Sequence, residues 1–352
     1  MHVNGIGTAT PLQRYSKAEC LEAFKASAWY ARLGIRARAI VEAVLSHDNG
    51  IGMRYLAVDR LEEVFEIDPD TLHKRFLANA PGLARAAGRK ALSEARLDAS
   101  EIDAVIVSTC TGYLCPGLSG YAIEQLQLRP DILAFDLVGQ GCAGALPNWQ
   151  LGDALLASGK CQHVLSICVE VCSAAMYLDD DAGILISACL FGDGAGAAVL
   201  STQPATHKRS VEFTGSGSLI NPQQRTALMF EQRQGMLRNI LTRRVPRLAA
   251  EHVRKVTETL LKNNGVTRAK ISNWIMHAGG RDVLLALENE LGIEAEDFRY
   301  SASILYNYGN LSSAFVYFVL QAALADGAEG GWWMMSSFGA GFSCHAALLK
   351  VD

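Results

Sequence analysis

The chain has no excess of positive charge and no basic run. Lysine and arginine total 32 and aspartate and glutamate total 36 among 352 residues, which gives a formal net charge of −4. Proteins that bind nucleic acid usually cluster positive charge on one face or in one segment. We therefore expect no nucleic-acid partner.

The sequence also lacks the ligand spacing that metal sites require. Cys168 and Cys172 are four residues apart, but no matching cysteine or histidine pair completes a zinc site. The nine cysteines are an odd number spread over a long chain, and the first residues have neither the basic start nor the apolar core of a secretory signal. These features predict reduced thiols, a cytoplasmic location and no metal ion.

Two runs without charged residues are long enough to cross a membrane, 104–123 and 306–325. Pro116 and several glycines interrupt the first, and two asparagines, two serines and a glutamine interrupt the second. We predict that both are buried core segments and that the chain has no membrane span. Half of all residues are hydrophobic, enough for one large domain or two ordinary ones.

What the sequence does have is one cysteine between small residues at the start of a helix. Residues 132–136 predict a short strand, and apolar residues at helical spacing over 146–156 predict the helix that follows. Cys142 lies between them, and Gly141 and Gly144 leave room for another molecule to approach its sulfur. The free N–H groups and the dipole of a helix N-terminus favour thiolate, so we expect a pKa below the usual value of about 8.5. The alternative is a small buried core residue.

Three sequence elements recur in the same order in the two halves of the chain, which indicates a duplicated unit. Strand 163–170 adds to an alternation of short strands and helices that predicts an α/β fold. The boundary falls near 201–206, so we predict an N-terminal half, 1–205, and a C-terminal half, 206–352. The matching segments are 104–112 with 273–280, 141–145 with 309–314, and 191–200 with 338–349.

The duplication predicts that Cys142, His277 and Asn310 lie on equivalent loop ends that converge on one cavity. Cysteine with histidine is the usual pairing for thiolate catalysis, and an asparagine amide can donate to a developing oxyanion. A satisfied core histidine is the alternative for His277, but its place at a strand end beside Gly279 favours the catalytic interpretation.

Five motifs together resemble those of the bacterial type III polyketide synthases, the chalcone and stilbene synthase family. They are Gly-Cys142-Ala-Gly, Leu-Phe191-Gly-Asp-Gly-Ala, His277-Ala-Gly-Gly, Tyr-Gly-Asn310-Leu-Ser-Ser-Ala and Ser-Phe338-Gly-Ala-Gly. The resemblance implies a thiolase-like fold, five αβαβα layers built from two duplicated halves, and a homodimer. It implies acyl-CoA and malonyl-CoA as substrates, with no cofactor and no carrier protein.

The resemblance also implies roles for individual residues. Cys142 would accept a starter acyl group from its CoA thioester, and His277 would stabilise the thiolate as an ion pair. His277 and Asn310 would bind the malonyl-CoA carbonyl and stabilise the enolate left by decarboxylation, and the extended chain would cyclise to a pyrone or resorcinol-type product. The rival interpretation is a β-ketoacyl-ACP synthase III-like enzyme that performs one condensation, because that group shares the Phe191-Gly-Asp-Gly-Ala motif.

Several residues are implied to bind substrate. Phe191 matches the aromatic residue between the CoA tunnel and the cavity, and Asn239 falls near the second such aromatic. Small residues at the cavity-lining positions predict a tunnel for a long acyl starter. The alternative is a short pocket, in which larger neighbouring side chains fill the same space. The remaining predicted substrate-binding residues are Thr111, Cys115, Cys172, Ala175, Ser312, Gly279 and Gly339.

Two further features are open at the level of sequence. Alanines 278 and 340 replace prolines that stiffen the corresponding loops in the family, which places the rigidity of those loops in doubt. We interpret the N-terminal arginines 32, 36, 38 and 54 first as part of solvated helix faces. The alternative is that they bind the phosphates of an anionic carrier at the entrance of the site.

Overall fold

The computed structural model describes residues 1–352, in which helices and strands alternate along the chain. The strands are β1 (His2–Ala9), β2 (Arg14–Ser16), β3 (Met53–Tyr55), β4 (Ala104–Ser108), β5 (Leu133–Leu137), β6 (His163–Glu170), β7 (Gly194–Ser201), β8 (Val211–Arg225), β9 (Leu228–Arg233), β10 (Met236–Leu241), β11 (Ile271–Met276), β12 (Gly331–Gly339) and β13 (Gly341–Val351). The helices are α1 (Lys17–Ala26), α2 (Ala28–Arg32), α3 (Ile35–Ser46), α4 (Pro69–Ala95), α5 (Leu118–Leu126), α6 (Ala145–Ala157), α7 (Ala182–Leu190), α8 (Val245–Asn263), α9 (Arg281–Leu291), α10 (Arg299–Tyr308) and α11 (Phe315–Ala325).

Nine strands form one sheet in the order β11-β12-β13-β8-β1-β7-β6-β4-β5. The two ends of this order have the same construction. In the first, β1 and β6 lie on either side of β7 and run antiparallel to it, and β4 runs parallel to β6. In the other, β8 and β12 flank β13 antiparallel and β11 pairs parallel with β12. Only the pair His2 and Glu212 joins β1 to β8, so the sheet consists of two equivalent parts. The predicted boundary at residues 205 and 206 lies between β7 and β8.

Two apolar helices lie between the two parts of the sheet. Helix α6 contacts β4 and β6 on one side and β12 and β13 on the other, and α11 contacts β1 and β7 as well as β11 and β12. Because α11 is apolar on nearly all sides, it is buried on both faces. The amphipathic helices α4 and α8 cover the outer faces, α4 against β1 and β7 and α8 against β8 and β13. The result is the predicted succession of five layers.

Most predicted elements are present, with two differences. The strand predicted over 104–111 ends at Ser108, because the chain turns there and the N–H of Cys110 donates to the Glu170 carboxylate. In the third matched segment only the strands β7 and β13 correspond, since Phe191 follows helix α7 whereas Phe338 lies within β12. None of the helices combines the length and the hydropathy that crossing a membrane requires.

Candidate active site

Cys142 lies in a 3-10 turn, Gly141–Ala143, that leads directly into α6. Gly141 has φ +55, and a Cβ there would come within 2.9 Å of the Ala340 backbone nitrogen. Glycine is therefore required both by the left-handed backbone and by the close approach of the loop between β12 and β13. The loop from the C-terminal half is thereby held against the cysteine.

Hydrogen bonds through Ser312 join two of the three predicted catalytic residues, Cys142 and Asn310. The Ser312 hydroxyl donates to the Cys142 sulfur at 3.3 Å, and the Ser312 backbone N–H donates to Asn310 Oδ1 at 2.9 Å. Asn310 Nδ2 in turn donates to the Gly279 carbonyl at 3.3 Å, two residues after His277. The loops that carry Cys142 and Asn310 therefore meet, whereas a convergence of all three residues on one cavity stays a prediction.

His277 lies just after β11 and is 2% exposed. Its backbone N–H donates to the Ser336 carbonyl, and the rings of Phe315 and Phe338 pack edge-on against the imidazole at centroid distances of 5.3 and 5.0 Å. Neither ring nitrogen has a hydrogen-bond partner. Burial lowers the pKa of His277 to about 3, so the imidazole is neutral, with one nitrogen able to accept a proton and the other to donate a hydrogen bond.

The structure contradicts the expected lowering of the Cys142 pKa. Burial raises the pKa of the thiol from 9.0 to about 12, and the negative charge of Glu170 acts in the same direction. The hydrogen bond from Ser312 and a backbone N–H partly oppose this shift. Both pKa shifts favour a neutral thiol and a neutral imidazole over the predicted ion pair.

The sequence analysis did not identify Glu170, which lies at the end of β6 under the loop that carries Cys142. Its carboxylate is fully buried, and burial raises its pKa. It accepts hydrogen bonds from Thr111 Oγ1 at 2.9 Å, the Cys110 N–H at 3.0 Å and Ser313 Oγ. Ser312 Oγ also lies 3.3 Å from the carboxylate, and its single hydrogen can point either to Glu170 or to Cys142. The signal was present in the sequence, since one acidic residue ends an otherwise apolar strand.

A cavity of about 50 Å³ opens at Cys142 and is lined mainly by hydrophobic residues. A larger cavity of about 670 Å³ adjoins it and shares six lining residues, among them Cys110, Thr111 and Gly141. The β9–β10 hairpin contributes to the walls of both cavities. Five of the predicted substrate-binding residues line the smaller cavity: Thr111, Cys172, Ala175, Phe191 and Ser312.

Comparison with known proteins decides the family. A family model described as FAE1/Type III polyketide synthase-like protein matches residues 48–214, and one described as chalcone and stilbene synthases, C-terminal domain, matches residues 216–351. The chain belongs to the type III polyketide synthase family. It is therefore an acyltransferase that condenses acyl-CoA with malonyl-CoA by decarboxylating Claisen chemistry and cyclises the product.

Relatives and solved structures agree with this assignment. The chain is 27% identical to the 3,5-dihydroxyphenylacetyl-CoA synthase of Streptomyces toyocaensis, over 98% of this chain and 89% of the relative. It is also 27% identical to the enzyme of the same name from Amycolatopsis balhimycina, over 98% and 92%. In fold it is similar to PKS-I from the brown alga Ectocarpus siliculosus, with TM-score 0.90, 24% identity and coverage of 99% and 98%. It is likewise similar to 1,3,6,8-tetrahydroxynaphthalene synthase from Streptomyces coelicolor, with TM-score 0.89, 24% identity and coverage of 99% and 99%.

Three of the residues predicted to bind substrate lie outside both cavities of this polyketide synthase chain. Cys115 is exposed on the loop before α5, and its contact with substrate stays a prediction. Gly279 offers its carbonyl to Asn310, and Gly339 packs against the cysteine loop. A Cβ at Gly339 would come within 2.5 Å of the Gln140 carbonyl oxygen, so this glycine positions the loop.

The N-terminal arginines divide into two kinds. Arg32 and Arg36 are exposed, as expected for solvated helix faces. Arg54 is buried and donates to the carbonyls of Ala188 and Phe191, so the solvated interpretation is wrong for it. Those two bonds hold the end of α7 and place Phe191 in the cavity wall.

Proposed function

We propose that Cys142, His277 and Asn310 carry out the condensation in this chain. Cys142 is the acyl carrier, His277 accepts and returns the thiol proton and donates a hydrogen bond, and Asn310 donates a hydrogen bond. The observation that carries the proposal is the path of contacts through Ser312, which joins Cys142 in one half of the chain to Asn310 in the other. Asn310 in turn donates to Gly279, two residues after His277. A small, mostly apolar cavity lies at Cys142, and neither His277 nor Asn310 lines it.

Acyl loading follows from the neutral resting pair. The Cys142 sulfur attacks the thioester carbonyl carbon, the new S–C bond forms, and the bond to the CoA sulfur breaks. His277 accepts the thiol proton as the sulfur attacks and then gives it to the leaving CoA thiolate. General-base transfer suits this site because burial disfavours a separate thiolate and a separate imidazolium, whereas concerted transfer avoids both.

Extension uses the same donors on malonyl-CoA. The bond between the α-carbon and the carboxylate breaks, carbon dioxide leaves, and negative charge develops on the thioester oxygen. Asn310 Nδ2 is engaged only by one long bond to Gly279, so it can donate to that oxygen together with an N–H of His277. The enolate carbon then attacks the acyl-Cys142 carbonyl and releases the Cys142 sulfur. The chain on CoA, now two carbons longer, returns to Cys142 for another round.

The two adjoining cavities support several extensions rather than one. The smaller cavity, of about 50 Å³, accommodates only the first units of a chain. The larger one, of about 670 Å³, is within the size range of small-molecule sites and provides room for a longer chain to fold and cyclise. A small cavity alone would have favoured the single-condensation alternative.

The starter is the finer part of the proposal. A long acyl chain cannot lie in the smaller cavity, so the long-chain starter inferred from small lining residues requires the chain to enter the larger cavity. Two curated relatives are named for a product that bears a dihydroxylated ring, and a structural neighbour for a tetrahydroxynaphthalene. Those names favour a hydroxylated ring as the product of this chain as well.

We also propose that the chain forms a homodimer through the edge strand β5. This strand pairs only with β4, and the segment exposes apolar side chains, with Leu133 39% and Val138 62% exposed. Unpaired strand edges with apolar side chains are prone to pair with another chain. The substitution Val138→Lys should shift sedimentation toward the monomer, whereas Leu12→Lys, at another exposed apolar residue in the loop between β1 and β2, should leave it unchanged.

The central roles are tested by separating decarboxylation from condensation. We expect Cys142→Ala to release carbon dioxide from malonyl-CoA while forming no polyketide, because the enolate needs donors but no nucleophile. Asn310→Ala should lose both activities by about a hundredfold or more. Asn307→Ala, on the exposed end of α10, is the matched control. Normal decarboxylation by Asn310→Ala would show that its assigned role is wrong.

A further inference from the structure

Asn239 places a buried, unused acceptor in the wall of the smaller cavity. It lies in β10 opposite α7, is 8% exposed, and lines the cavity together with Ile184, Ser187 and Phe230. Its Nδ2 donates to Ser187 Oγ at 3.1 Å, whereas its Oδ1 has no hydrogen-bond partner. Buried carbonyl oxygens without a partner are uncommon and costly.

The orientation of the Asn239 amide follows from its neighbour. Ser187 Oγ donates its single hydrogen to the Gly183 carbonyl at 2.8 Å, one turn earlier in α7. It can therefore only accept from Asn239, so the amide nitrogen must face Ser187 and the carbonyl oxygen must face away. The unpartnered oxygen is thus held in place by a helix rather than free to rotate toward another donor.

An apolar acyl chain cannot satisfy this oxygen, whereas an oxygenated chain can. Each extension creates a β-keto group, and a β-dicarbonyl unit has an enol tautomer that carries an O–H donor. A hydroxylated starter carries one as well. A site that holds a buried polar group for the substrate discriminates against analogues lacking the partner, because the protein group is then left unpaired.

We propose that Asn239 Oδ1 accepts a hydrogen bond from a hydroxyl or enol hydroxyl of the acyl chain held at Cys142, and that it selects oxygenated chains over alkyl chains. The inference rests on the proposed function, since it requires acyl groups on Cys142. It concerns only which acyl groups bind, and it assigns Asn239 a positioning contact with the substrate rather than a part in bond formation.

The test is a competition for Cys142 between acyl-CoA thioesters that differ by one hydroxyl. Butyryl-CoA is mixed with 3-hydroxybutyryl-CoA or, separately, with 4-hydroxybutyryl-CoA, and the adducts on Cys142 are counted by mass spectrometry of the intact protein. We expect wild type to prefer at least one hydroxylated thioester by about tenfold, the value of one well-formed hydrogen bond. Asn239→Leu, similar in shape and without an acceptor, should bring the ratio to within about twofold of unity.

Two further variants isolate the contribution of orientation. Ser187→Ala removes the group that fixes the amide and should give an intermediate ratio, while Asn289→Leu, on the exposed face of α9, should keep the wild-type ratio. Adducts that form without preference in wild type, or a preference that survives Asn239→Leu, overturn the inference while the proposed function stands. Absence of any adduct on Cys142 overturns the proposed function and the inference with it.

Discussion

The protonation state of Cys142 can be tested through the pH dependence of its alkylation. Iodoacetamide reacts with the thiolate, and a thiol whose pKa is raised to about 12 has about a thousandfold less thiolate at neutral pH than one at 9.0. The imidazole of His277, with its pKa lowered to about 3, does not titrate between pH 5 and 9. The alkylation rate of Cys142 should therefore rise about tenfold per pH unit over this whole range, without a plateau.

The competing description is a thiolate–imidazolium pair, and its cost can be compared with its gain. Burial raises the pKa of Cys142 and lowers that of His277, so it disfavours the charged form of each group. Attraction between the two charges acts in the opposite direction. The pH profile of alkylation distinguishes the neutral pair from the ion pair.

The assay measures the alkylation rate of each cysteine separately by peptide mass spectrometry from pH 5 to 9. The exposed Cys115 should be labelled before Cys142 at pH 6. A plateau in the Cys142 rate across pH 5 to 8, with Cys142 the fastest thiol in the chain, would refute the argument and restore the ion pair expected from the sequence.

A substitution at Glu170 tests the cause of the shift. Glu170 Oε1 and Cys142 Sγ both lie 3.3 Å from Ser312 Oγ, so their separation is at most about twice that distance. Charges at such a separation repel by roughly 3 kcal/mol at an effective dielectric of 20. Glu170→Gln removes the repulsion, lowers the thiol pKa, and should accelerate alkylation at fixed pH by up to about a hundredfold. A rate equal to or below that of wild type, in a variant with an unchanged melting temperature, would show that the carboxylate does not act on the thiol.

Two other outcomes follow from the cavity and its loops. If the larger cavity receives a long starter, kcat/KM for C4 to C16 acyl-CoA should rise with chain length, because each buried CH₂ adds roughly 0.8 kcal/mol of binding free energy. Cys172→Phe should end this rise at a shorter chain. A flat series would favour a short starter. Gly339→Ala should displace the loop that carries Cys142, because the new Cβ would meet the Gln140 carbonyl oxygen at 2.5 Å. We expect slower acyl loading and a loss of about 1–3 kcal/mol in the free energy of unfolding. Gly82→Ala, on α4 with open space around it, is the control.

The fold was predictable because duplication leaves repeated local patterns. Alternation of apolar strands with helices and the recurrence of glycine loops are local features, and they located β4, β6 and α6. The third match failed at its first residue because helix α7 lies between β6 and β7 in one half, whereas β12 leads directly into β13 in the other. A short Phe-Gly-x-Gly pattern does not indicate whether a helix or a strand precedes it.

The approach of two loops of the candidate site was predictable, but its electrostatics were not. The duplication places Cys142 and Asn310 on equivalent loops, so their approach through Ser312 could be inferred. The pKa of Cys142 depends on how many atoms surround the sulfur and on a carboxylate that arrives from β6, and neither is visible in the flanking sequence. The helix N-terminus favours the thiolate, but burial opposes it and determines the direction of the pKa shift.

Ser312 combines two roles that substitutions can separate. It has φ +51, a left-handed conformation that costs a residue with a Cβ roughly 1 kcal/mol relative to glycine, and its hydroxyl bridges Cys142 and Glu170. Ser312→Ala removes the hydroxyl and keeps the strain, whereas Ser312→Gly removes both. Because the hydrogen bond from Ser312 lowers the Cys142 pKa, both variants should alkylate more slowly than wild type at the same pH, and by the same factor. The glycine variant should nevertheless be about 1 kcal/mol more stable to unfolding than the alanine variant. Denaturant melts give the stability difference and peptide mass spectrometry gives the alkylation rates. If the two variants differ in alkylation as much as in stability, the backbone conformation and not the hydroxyl controls the thiol.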